Sequence, residues 1–198
     1  MTKLTLDDIA DLRAYERERA DFRREVIELK KRRRVAIGPI ATLLFENAAT
    51  IRFQIQEMAR VEKILTDEGI QAEIDVYNPL VPEPGELAAT LFLELTTNDE
   101  VREWLPRLVG IESAIELRIG DGDGASVVRC EVDPDHERQL TRDETTASVH
   151  YVHFRLSPDQ VDRFVSGPDA LAIVHRAYDH VTTLSDGTRE ELLADLRG

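Results

Sequence analysis

At 198 residues the chain is long enough to bury a core without help from metals or disulfides. Its composition, 42% hydrophobic and 32% charged, is that of a globular protein; no apolar run approaches the roughly 20 residues of a bilayer span, and the acidic start MTKLTLDDIADLRAYERERA lacks the apolar stretch of a secretory leader. The single cysteine, Cys130, excludes an internal disulfide framework and a multi-cysteine metal centre, and a net charge of -14 opposes binding of a polyanion over most of the surface. A cytoplasmic protein without a membrane segment is expected.

Charge is distributed unevenly: residues 1–34 balance at +3 and residues 35–198 at -17. This divides the chain into a charged helical arm, 1–34, and one acidic α+β domain, 35–198. Thr5 and Asp8 fit a capping box, in which a hydroxyl and a carboxylate satisfy orphan amides reciprocally. Tyr15, Phe22, Val26 and Leu29 then recur at spacings of seven, four and three, predicting a helix with one narrow apolar stripe, interrupted once near residues 16–20. Such a stripe on so charged a helix would suit packing against a second copy, as a homodimer. The arm ends in KKRRR, residues 30–34. Cations there suit the negative pole of the helix dipole. The rival reading, a nucleic-acid patch, is disfavoured because no aromatics interleave the run and the body is acidic.

In VAIGPIATLLFEN, Gly38-Pro39 makes a bend and leaves a strand over 41–46. TIRFQIQEMARVEKIL fits both periods, but its length and good helix formers favour a helix over 49–66, with a second over 71–77. The proline-rich NPLVPEPG, 78–85, forbids regular structure and separates a helical part from a sheet-rich part. Strands are expected over 87–96, 114–120, 125–132, 148–156 and 170–178, with GDGDG, 120–124, as a hairpin turn. Helices intervene over 99–108, over 159–165 behind Ser157-Pro158, and over 189–196 behind a capping box of Thr188 and Glu191. The fold class is α+β, a mostly antiparallel sheet of about five strands covered by helices, with a helical amino-terminal arm.

No phosphate loop, dinucleotide fingerprint, serine elbow or HExxH occurs, so no nucleotide, flavin or iron–sulfur motif is present. GDGDG lacks the further acceptors and distal glutamate of a calcium loop. In SVHYVHF, residues 148–154, strand alternation places His150 with Val152, Phe154 and Leu156, and His153 with Tyr151 and Arg155. The two histidines therefore cannot share a metal, and His153 reads as a surface residue. Cys130 lies with Val128 and Val132, and His175 with Leu171 and Ile173. Were these late strands neighbours, His150, His175 and Cys130 would converge, and Glu62 or Glu57 on the helix over 49–66 would complete a site for a divalent metal. The competing reading makes each histidine a hydrogen-bonded core residue and Cys130 a small buried hydrophobe. The polar run DHERQLTRDETT, 135–146, is read as a solvated connection rather than a lid.

The segments LLFENAATIRFQIQEMARVEKI, YNPLVPEPGELAATLFLEL, LVGIE and TTASVHYVHFRLSPDQV, taken in order, resemble a bacterial family of uncharacterised proteins, domain of unknown function three-five-zero-one. The resemblance covers nearly the whole chain. It supplies no catalytic residues, but it implies a setting: members are often encoded beside a rubrerythrin-like diiron protein and an iron–sulfur oxidoreductase, in redox or peroxide-stress metabolism. This chain has neither the cysteine clusters of an iron–sulfur protein nor the repeated Glu-x-x-His of a diiron bundle. The resemblance thus implies an accessory or binding protein that docks on a redox partner. The alternative from the residues is a small metal- or ligand-dependent enzyme using a His/Cys/Glu site.

Overall fold

A computed structural model describes residues 2–121, 125–132, 144–165 and 167–198. It is an α+β fold with a helical amino-terminal arm. Among the described residues nine strands form two antiparallel sheets rather than one. The first contains β1 (Arg34–Ile37), β2 (Ala41–Glu46), β3 (Glu86–Leu93), β7 (Val149–Arg155) and β6 (Glu131–Val132), in that spatial order. The second runs β5 (Ser126–Arg129), β4 (Ile115–Ile119), β8 (Asp169–His175) and β9 (Tyr178–Thr183). Helices are α1 (Leu12–Arg33), α2 (Ala48–Glu62), α3 (Asp67–Tyr77), α4 (Asn98–Arg107), α5 (Pro158–Phe164) and α6 (Asp186–Arg197). Much of GDGDG and of the run 135–146 lies outside the described residues.

The main core sits between the sheets. Leu43, Phe45, Leu91, Val152 and Phe154 meet Ile115, Leu117, Leu171 and Ile173 there. Both ends of this sandwich are closed by the chain itself. On one side the segment 125–132, expected as one strand, changes sheet at Cys130, whose amide still pairs with Ile115 O while β6 turns to β7. Bends of this kind make the corners between packed sheets. On the other side β9 meets β1: the Tyr178 hydroxyl donates to Ile37 O at 2.6 Å and accepts from the amides of Ile40 and Ala41, and Thr182 donates to Ala36 O. The expected strand 170–178 therefore stops at His175, and Tyr178 begins the return strand.

The outer face of the five-stranded sheet is covered by α1 and α2, with α3 packed on α2, so β2 is buried on both faces. A second apolar cluster forms under this layer from Ile51, Ile55, Ile74, Leu80 and Val81, with Leu4 from the amino-terminal segment. That segment is pinned by two amide side chains, each pairing in both directions with a backbone: Gln56 with Ala10, and Asn78 with Leu4. The helix α1 is continuous where an interruption was expected. It contains no Gly or Pro, and Glu57 of α2 grips Tyr15 and Arg19 across that point. Its stripe packs against α2, with Tyr15–Phe22 and Phe22–Phe53 in edge contacts. The feature that suggested a homodimer is thus engaged within the chain.

Helix ends follow side-chain caps. The expected helix 49–66 ends at Glu62, because Lys63 turns left-handed (φ 57°) and Thr66 caps α3. The last helix starts earlier than expected, because Ser185 rather than Thr188 accepts the orphan amide.

Candidate functional site

The four expected ligands, His150, His175, Cys130 and Glu62, are not brought together. His150 faces the core as alternation predicts, but its Nε2 lies 2.9 Å from both Thr146 Oγ1 and Ala147 O. A carbonyl only accepts, so that nitrogen carries the hydrogen and is turned away from a metal. His175 stands on the other sheet, with Nε2 3.2 Å from Val109 O and Nδ1 accepting from the Ala177 amide. Cys130 occupies the sheet-switching corner, donates to Glu112 O, and burial above all pushes its thiol up to about 11. Glu62 is exposed on the last turn of α2, and Glu57 is held by Arg19. Among the described residues no three His, Cys, Asp or Glu side chains are grouped to hold a metal ion. Convergence required the late strands to share one sheet, and β7 and β8 belong to different sheets.

The basic run is engaged inside the molecule. Arg32 pairs with Glu191 at 2.7 Å, Lys31 with Glu28 at 2.6 Å and Arg34 with Glu94 at 3.6 Å. Lys30 lies 5.6 Å over the Phe53 ring. Arg33 is fully buried, donates to the carbonyls of Phe45 and Glu46, and pairs with Asp195. These contacts tie the arm to β2 and α6. They also fix the end of β2, from which Glu46 projects onto the helix-covered face.

Above that face lies a cavity of about 190 Å³ between the sheet and the helical layer. Its floor comes from the sheet, with Leu44, Glu46, Thr90, Phe92, Val149 and Tyr151; its roof comes from Lys30 of α1, Thr50, Ile51 and Gln54 of α2, and Tyr77 and Leu80. The register explains the floor: Leu44, Thr90 and Tyr151 are cross-strand partners in one row, with Glu46 two residues along β2 on the same face. The Glu46 side chain is buried, and each of its oxygens accepts a hydroxyl, from Thr50 at 2.5 Å and from Thr90 at 2.7 Å. Beside it the Tyr151 phenol is raised, first by burial and then by Tyr77 and Glu46, so it stays protonated. Glu46 and Lys30 are the two charged lining groups.

A more open recess of about 460 Å³ adjoins the turn 78–80 and contains His153. This histidine is half-buried rather than on the surface, and burial lowers its pKa. Arg155 there bridges Glu86 at 2.7 Å and Glu131 at 2.9 Å, which leaves the recess largely self-neutralised.

Glu46, Thr90 and Tyr151 are not among the site residues expected from the sequence. A signal was present: Glu46 closes the apolar run ATLLF, an unusual place for a carboxylate in a strand buried on both faces.

Fold and cavity together define an α+β protein with two packed antiparallel sheets and a small helix-covered cavity holding a buried carboxylate. The chain belongs to the family described as Protein of unknown function (DUF3501), whose model matches residues 3–196. It is similar to a solved structure from Burkholderia pseudomallei K96243, titled as a novel protein of unknown function, with 38% identity and a TM-score of 0.89 over 98% of this chain and 100% of the other. Among curated proteins none matches. No helix among the described residues is long and apolar enough to cross a membrane.

Proposed function

We propose that this protein is a cytoplasmic accessory protein that binds a small molecule in the Glu46 cavity and acts beside an iron–sulfur or diiron protein in redox or peroxide-stress metabolism. The observation that carries the ligand-binding part is a buried carboxylate on the floor of a cavity that Leu44, Ile51, Leu80, Phe92 and Val149 line together with Lys30 and several neutral polar side chains. Sites of this kind, apolar walls with a few convergent polar groups, are where small ligands bind. The redox setting rests on the family resemblance. In it this chain supplies recognition and the partner supplies the redox centre, which accords with a single cysteine whose thiol is held protonated.

Thermal melting against a panel of small amines, alcohols and carboxylic acids tests the first part. At least one class should raise the melting temperature in proportion to the logarithm of its concentration once well above its dissociation constant. A panel with no saturable response would sink the ligand-binding reading. Co-purification with a rubrerythrin-like protein or an iron–sulfur oxidoreductase tests the second part; the complex should form at low salt and weaken as salt is added. Failure to bind either at low ionic strength would overturn the redox partnership and leave the cavity reading standing.

A further inference from the structure

We infer that the ligand of the Glu46 cavity is a small organic cation, an ammonium group carried on a compact apolar body. The inference rests on the reading of this cavity as a ligand site and assigns the ligand's chemistry. A carboxylate taken out of water is costly unless it is paired. The two hydroxyls that donate to Glu46 offset part of that cost but bring no positive charge. Among the described residues no Lys, Arg or His forms an ion pair with Glu46; Arg33, the nearest buried cation in the chain's connectivity, reaches only its backbone carbonyl.

The hydrogen-bond inventory points the same way. Each threonine hydroxyl has one proton: that of Thr90, on the floor, goes to Glu46, and that of Thr50, on the roof, is taken up by Glu46 and the Asn47 carbonyl, so neither donates to a ligand and Glu46 is left as an acceptor. An ammonium offers three donors to the Glu46 carboxylate, whereas a carboxylate ligand would bring a second negative charge beside it, offset only through Lys30 on the roof. Among the remaining walls, Leu44, Ile51, Leu80, Phe92 and Val149 suit a hydrocarbon or aromatic body, Tyr77 and Tyr151 add electron-rich ring faces, and Lys30, the lining cation, stands on the roof 5.6 Å over the Phe53 ring rather than in an ion pair with Glu46. The volume, about 190 Å³, lies below the roughly 300 Å³ at which drug-sized pockets begin, which restricts the occupant to a compact molecule.

Three probes of nearly one shape and different charge test this: 2-phenylethylammonium, 2-phenylethanol and phenylacetate, each titrated by calorimetry and thermal melting in about 0.3 M salt, where the Debye length is shorter than the roughly 8 Å of physiological buffer. Saturable binding by the ammonium, with the alcohol and the acetate weaker, is expected. Binding by the alcohol or the acetate equal to or tighter than the ammonium would overturn the cation assignment while supporting a ligand cavity. No binding by any of the three would overturn the cation assignment for this cavity, and the panel above then decides whether the cavity takes another ligand. Glu46→Gln, nearly isosteric, should weaken the ammonium by roughly 10- to 150-fold, the span of a hydrogen bond to a charged group, and leave the alcohol within a few-fold. If that variant does not fold, Gln54→Trp keeps the carboxylate and obstructs the cavity from the half-buried α2 position; it should abolish ammonium binding. Undiminished ammonium binding in whichever variant folds would place the cation elsewhere on this acidic surface and overturn the proposal.

Discussion

The Arg33 guanidinium lies where α1 ends, out of solvent, hydrogen-bonded to the carbonyls of Phe45 and Glu46 and paired with Asp195. Removing one partner of a buried pair leaves the other charged and unsolvated, a cost of about 3–5 kcal/mol. Arg33→Met should lower the free energy of unfolding by about that amount in a urea titration, and adding Asp195→Leu should recover part of it. A single variant with unchanged stability would show that the pair does not hold the arm. Glu57 makes a second residue-scale case. The Arg19 guanidinium, donating to both oxygens, holds this carboxyl at about 2 against the opposing effect of burial, with the Tyr15 hydroxyl and Arg60 adding to it. Unfolded glutamate titrates near about 4.3. The folded value is the lower one, so the contribution to stability is complete above the unfolded value and is lost as pH falls from about 4.3 to about 2. In Glu57→Gln the melting temperature should therefore start lower at neutral pH and fall less steeply across that acid window than in the parent protein.

At the scale of elements, the β1–β2 hairpin shows how a local turn depends on a distant strand. Gly38 has φ +72°, and a Cβ there would lie 2.6 Å from ring atoms of His180 and from the Tyr178 hydroxyl. Left-handed strain of about 1–2 kcal/mol and overpacking of about 1–3 kcal/mol act together, so Gly38→Ala should destabilise by roughly 2–5 kcal/mol. The measurement is the denaturant midpoint at constant m-value; a change of only about 1–2 kcal/mol, the left-handed strain alone, would mean that β9 yields readily at this corner. The opposite corner, at Cys130, was hidden by its own regularity. ASVVRCEV reads as one strand, and nothing within it reveals that its two halves pair with strands of different sheets.

For the whole molecule, charge is the property that sequence and structure describe together. The KKRRR run is a cationic tract in the sequence, yet in the fold Arg32, Arg33 and Arg34 all meet acidic partners contributed by the body. With those cations engaged and a net charge of -14, a mixed-sequence DNA duplex should show no retardation with this protein in a gel at low salt. Salt-sensitive retardation, lost on neutralising Arg32 and Arg34, would overturn that expectation.

The α+β class, most helix and strand positions and the separation of His150 from His153 were legible without coordinates. Each follows from period, capping chemistry or alternation, which act over a few residues. The division into two sheets, the strand β9, the destinations of the basic run and the cavity around Glu46 were decided only by the tertiary structure. Each depends on which distant strands become neighbours: Glu46 meets Thr90 across 44 positions of sequence, and Arg33 meets Asp195 across 162. A carboxylate at the end of an apolar strand hinted at a site, but only strand pairing and the helical layer above it placed that carboxylate in a cavity.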